Sequence, residues 1–140
     1  NKQNKTIILT RQLRIPTYLN GNKTGMMIEA CAGLLDTENA EHCIIRETEE
    51  ETGYKIKDVQ KILEVYMSPG SVTEVIHFFT GEYSKEMKIH EGGGLKEEQE
   101  NIEVLEYFFD EALQMITSGE IKDAKTIILL QHAKINNLLG

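Results

Sequence analysis

A chain of 140 residues, 40% of them hydrophobic, fits one domain with a single hydrophobic core. Its net charge of −8 argues against general nucleic-acid binding, which needs Lys and Arg against phosphates, and means that any bound anion must be neutralised by divalent ions and a few placed basic residues. The longest apolar run, Ile127 to Leu130, falls far short of the ~18 residues of a membrane span. Cys31 and Cys43 are too few for a disulfide framework, and His42, His77, His90 and His132 are too widely spaced for a zinc site. A reduced, cytoplasmic protein without structural zinc is the expectation.

The chain begins at Asn1, without Met, and enters a strand-like run, Lys5 to Ile15, almost at once, so residues upstream of Asn1 are expected. Pro16 ends or bends that run. Arg11 and Arg14 near its end read equally well as phosphate contacts and as surface arginines. A turn-rich loop, Asn20 to Gly25, leads into a short buried strand from Met26 to Ala32. Glu29 in that strand either points toward an acidic cluster or marks an edge.

The most informative stretch follows. Asn39 as N-cap and Gly53 just past the end bound a helix of about three and a half turns. Ala40, Cys43 and Ile44 form its apolar stripe, and Glu47, Glu50 and Glu51 continue that stripe, which puts three carboxylates where a core should be. Arg46 stands four residues before Glu50 and can pair with it, while Glu49 faces solvent. Clustered anions at a core edge require a cation, and an all-oxygen set suits a hard ion such as Mg²⁺, with Mn²⁺ as an alternative. A solvated acidic helix is the competing reading on composition alone.

Beyond the helix, Val59 to Tyr66 reads as a strand, Met67 to Gly70 as a turn, and Val72 to Tyr83 as a second strand. Within it Val75 to Phe79 is apolar enough to predict a central strand, preceded by Glu74. Gly92, Gly93 and Gly94 predict a mobile loop, and the carboxylates that follow, Glu97, Glu98, Glu100 and Glu103, either supply a general base or merely solubilise the chain. Ile102 to Phe108 alternates like a strand, Asp110 caps a helix to about Ser118 that Gly119 ends, and Asp123 opens a last helix toward Leu139. The order β, β, α, β, β, β, α, α predicts the α/β (α+β) class, as an α/β/α sandwich around a mixed sheet.

Arg46, Glu47, Glu50, Glu51 and Gly53, approached through a loop containing Gly33, resemble the signature of the Nudix hydrolases. The loop from Gly33 to Arg46 is one residue shorter than the usual pattern, and Asn39, beside Glu38, stands where that pattern has glutamate. The blocks Thr10 to Ile15, Ile28 to Asp36, Tyr66 to Gly70, Thr73 to Phe79, Gly92 to Gly94 and Gly119 to Lys125 are similar to the GDP-mannose pyrophosphatase branch of the ADP-ribose pyrophosphatase group. In that group Pro69, sixteen residues past Gly53, marks enzymes acting on nucleoside diphosphate sugars.

The resemblance implies a Nudix fold over residues 1–140 and hydrolysis of a nucleotide sugar at its diphosphate bridge, GDP-mannose giving GMP and mannose 1-phosphate. It implies metal held by Glu47, Glu51, the Ala32 carbonyl and Glu100, with Glu98 as rival because the loop is two residues longer than in the family members it resembles. Glu47, Glu50, Glu51 and Glu100 form the implied catalytic set, and Arg14, Gly33, Leu34, Glu74 and Lys125 the substrate contacts. It also implies a homodimer in which an N-terminal segment, lacking from this chain, swaps onto the partner. ADP-ribose hydrolysis and a non-catalytic nucleotide-sugar-binding module remain the alternatives.

Overall fold

The computed structural model describes residues 1–35, 37–95 and 101–140. A central antiparallel sheet is ordered β2-β1-β5, from Met26–Glu29 (β2), Thr6–Leu13 (β1) and Glu103–Phe108 (β5). The strand period of two sorts its residues into faces. Ile7 opposite Tyr107, and Ile28 opposite Arg11, share a face with Leu9, and Ile7, Leu9, Ile28 and Tyr107 join the core. There they meet Phe109, Ala112 and Met115 of α3 (Phe109–Ser118) and Leu130 and Ala133 of α4 (Ala124–Ile135).

The other face carries Thr6, Ile8 and Thr10, with Glu106 opposite Ile8 and Glu29 opposite Thr10. Here the acidic helix α2 (Ala40–Thr52) approaches, touching β1 and also β4 (Val75–Thr80) of a separate antiparallel hairpin with β3 (Gln60–Tyr66). Helices on both sides of strands give the expected α/β sandwich, and every ladder among the described residues is antiparallel.

Several expectations need correction. β4 is no central strand, since among the described residues it pairs with β3 alone. Its apolar character is accounted for by contact with α2, with Phe78 as its buried residue. The run expected from Val72 to Tyr83 shortens to Val75–Thr80, and β2 stops at Glu29. Pro16 does not simply end β1: it sits in the first turn of a short helix α1 (Ile15–Leu19), where its missing N–H would be unbonded anyway. Asp110 lies inside α3 and Phe108 is the N-cap, because the Phe109 N–H bonds the Lys5 carbonyl at 2.9 Å and its ring enters the core. α4 opens at Asp123 as expected but closes at Ile135.

Candidate active site

Helix α2 is fixed at both ends. The Glu41 N–H donates to Asn39 Oδ1 at 2.8 Å, and Gly53 adopts the left-handed conformation (φ 78°) that stops a helix. Along its inner face Cys43 is 4% exposed, and Glu51, one helical repeat and more beyond, only 3%. Glu47 and Glu50 are less deeply set, their side chains 15% and 25% exposed. The carboxylates therefore do continue the apolar stripe inward.

The segment after β2 runs across these acids. The Cys31 thiol hydrogen-bonds with the side chains of Glu51 and Thr48, and burial, then the negative charge of Glu51, pushes its pKa well above the usual thiol value. Two residues on, Gly33 lies so close to Glu47 that a Cβ would stand 2.2 Å from Cγ and Cδ and 2.3 Å from Oε1. Ala32 is thus bracketed by Cys31 on Glu51 and Gly33 on Glu47. Ala32, Gly33 and Leu34 are all exposed.

Arg46 gathers acids on the outer edge. Its Nη2 lies 2.6 Å from Glu38 Oε1 and 3.0 Å from Glu47 Oε1, and its Nη1 donates to Glu50 Oε2 at 2.9 Å. Hydrogen bonding to Glu38, with Glu47 and Glu50 adding, raises its pKa above that of free Arg. The departure in the signature loop has a structural answer: Asn39 caps the helix, while Glu38 supplies a carboxylate to Arg46.

Arg14 grips Glu29 with two prongs, Nε to Oε1 at 3.0 Å and Nη2 to Oε2 at 2.7 Å. Glu29 is thereby paired although its side chain is only 5% exposed. The hydrogen bond to Glu29 raises the Arg14 pKa against the opposing effect of burial, and the charges of Glu51 and Asp123 add to the rise. Lys125 pairs with Asp123 at 2.5 Å, and Asp123 also accepts from the Thr126 N–H and hydroxyl at 2.9 and 2.8 Å. Thr126 in turn accepts the Ala30 N–H at 2.7 Å, tying the start of α4 to the loop that carries Ala32.

Of the expected site residues, the structure brings Glu47, Glu50, Glu51, Gly33 and the Ala32 backbone to the acidic helix, and sets Arg14 within electrostatic reach of Glu51. Leu34 is 81% exposed beside them, its carbonyl accepting from Cys43 Sγ at 3.4 Å. Lys125 is engaged at the start of α4. Glu74 is exposed just before β4, and no hydrogen bond or ion pair among the described residues ties it to the helix. Glu98 and Glu100 lie outside the described residues.

Among the described residues no three Asp, Glu, His or Cys side chains converge as a ready-made metal cage. Glu47 Oε1 is turned toward Arg46 instead. The donors that do come together, two inward carboxylates beside an exposed peptide, are hard oxygens of the kind a divalent ion such as Mg²⁺ takes. The space kept by Gly33 is filled by one of those carboxylates, so the set fits a hard divalent ion in donor chemistry. Sequence reasoning missed Cys31, Thr48 and the Glu38 contact; only the interruption of the signature spacing at Asn39 hinted at the last.

An acidic helix bracketed by a glycine loop on the open side of an antiparallel sheet defines the class: the NUDIX domain family profile matches residues 1–130, and the chain belongs to that family of hydrolases. It is 55% identical to the GDP-mannose pyrophosphatase of Yersinia enterocolitica over 99% of this chain and 72% of that protein. The GDP-mannose pyrophosphatase of Pectobacterium atrosepticum is 56% identical over 96% of this chain and 69% of its own length, and that of Escherichia coli 51% identical over 99% and 72%.

Proposed function

We propose that the chain hydrolyses the diphosphate bridge of GDP-mannose, releasing GMP and mannose 1-phosphate, with Mg²⁺ as its ion. The observation that carries this is the Cys31 to Gly33 segment laid against Glu51 and Glu47, in a chain at least half identical to proteins named for that activity. Glu47, Glu51 and the Ala32 carbonyl would hold the ion, joined by Glu100 from the segment outside the described residues. When bound, the ion neutralises phosphate oxygens and makes water a stronger nucleophile.

The protein's own residues do the rest. Arg46 orients Glu47 and Glu50, and the buried Glu51 lies against the Cys31 thiol. Arg14 and Lys125, each paired with a carboxylate, would share their charge with the phosphates, and the exposed Gly33 and Leu34 would offer backbone to the diphosphate. A homodimer belongs to the same proposal, supported by the exposed apolar residues Leu13, Ile15, Tyr18 and Leu19 at one edge. So does a cytoplasmic setting; among the described residues no helix is long and apolar enough to cross a membrane.

The test is phosphomonoester release with Mg²⁺ from GDP-mannose, ADP-ribose and nucleoside triphosphates presented in parallel. GDP-mannose is expected to turn over fastest. Reaction of triphosphates alone would end the proposal.

A further inference from the structure

We infer that Gly92, Gly93 and Gly94 clamp the end of the acidic helix and so position Glu51 for the divalent ion, a role that rests on the metal reading above. The last carbonyls of a helix have no partner within it. Here the Gly93 N–H donates to the Glu51 carbonyl at 2.8 Å and the Gly94 N–H to the Glu50 carbonyl at 3.2 Å. Two of the glycines are themselves tied down, since the Ile102 N–H bonds the Gly93 carbonyl at 3.2 Å and the Gly92 N–H donates to His90 Nδ1 at 3.0 Å. The run expected to be slack is therefore a fitted part.

Glycine is required by contact as well as by conformation. All three have positive φ, 73°, 110° and 78°. A Cβ on Gly92 would stand 2.4 Å from the Glu51 carbonyl oxygen and 2.6 Å from the Thr52 carbonyl carbon. These are backbone atoms, which cannot rotate aside, so relief must displace the last turn of the helix. That turn carries Glu51, whose side chain is buried and follows its backbone. Gly93 differs: the nearest atom to its Cβ would be Ile102 O at 3.7 Å, ordinary contact.

The experiment is Mn²⁺ binding by electron paramagnetic resonance on the whole chain. Gly92→Ala is expected to raise the dissociation constant by about 10- to 100-fold, the range for removing outer-shell support from a metal ligand. Gly21→Ala is the matched control, having φ 94° and nothing within 4 Å of its Cβ, and its binding should equal wild type. Should Gly92→Ala not fold, the wild-type protein still decides, because coupling is reciprocal: Mg²⁺ should slow amide hydrogen exchange at Gly93 and Gly94. Wild-type Mn²⁺ affinity in folded Gly92→Ala, or exchange at those amides unmoved by bound Mg²⁺, overturns the clamp and leaves the metal reading standing. No Mn²⁺ binding to wild type overturns the metal reading and the clamp with it.

Discussion

Replacing Gly33 by Ala separates catalysis from folding at this site. Gly33 is exposed, and its φ lies outside the left-handed range, so an Ala backbone is accommodated there without strain. What the methyl meets is Glu47, at 2.2 Å from Cγ and Cδ. Ordinary carbon contact begins near 3.5 Å, so the Glu47 side chain must retreat by about 1.3 Å. Because it is a flexible side chain, it can do so by rotation, at a cost of about 1 kcal/mol or less. A displacement of about 1 Å at a catalytic group is enough to lower the rate about 100-fold, which is about 2.7 kcal/mol of transition-state stabilisation. The expected result is a melting temperature close to wild type, kcat down about 100-fold, and KM little changed. Steady-state release of phosphomonoester from GDP-mannose and a thermal unfolding scan measure all three. An active Gly33→Ala with normal kcat would refute the placement of Glu47 in the reaction.

Glu51→Gln should abolish Mg²⁺ uptake in calorimetry and lower kcat about 100-fold or more, without lowering the metal-free melting temperature, since it removes a charge from a site 3% exposed. Arg14→Ala leaves Glu29 buried without its counter-ion and should cost about 3 kcal/mol in denaturant unfolding, a loss that a paired Arg14→Leu, Glu29→Leu variant largely recovers. Asp123→Ala removes the cap of α4 and should cost about 1 kcal/mol. Burial raises the Asp123 pKa, but hydrogen bonds from Lys125 and Thr126 outweigh it and leave the carboxyl below the ordinary value of 3.8. Its stabilisation is therefore complete above that value and lost as pH falls through the depressed native pKa. The acid limb of the stability curve should be shallower in Asp123→Asn than in wild type.

The elements that sequence predicts best are those with local causes. Helix α2 has its Asn39 cap, its Gly53 stop and an inner stripe, and the structure returns all of them. The start of α3 is different. Asp110 has the better capping side chain, yet the helix starts at Phe109 because that residue bonds Lys5 across the sheet and enters the core. Tertiary packing overrides a local preference worth about 1 kcal/mol. β4 fails for a related reason: a strand covered by a helix has the same apolar composition as one flanked by strands, and composition alone cannot separate them.

For the site, residue types were legible but engagements were not. Arg14 and Lys125 are basic residues of the kind a phosphate needs, and nothing local announces that Glu29 and Asp123 already hold them. Arg46 is likewise shared among Glu38, Glu47 and Glu50. These pairings bear on the question raised by a net charge of −8. Each of these three cations is partly neutralised before a diphosphate arrives, and Glu47 and Glu51 stand nearby with charge of their own. Coulomb repulsion between such acids and an incoming polyanion is weakly screened where Glu51 is buried. Substrate binding itself, and not only turnover, is then coupled to the divalent ion. Removing Mg²⁺ with a chelator should weaken binding of an intact nucleotide sugar at least as strongly as losing either arginine, and equal affinity with and without the ion would contradict that charge balance.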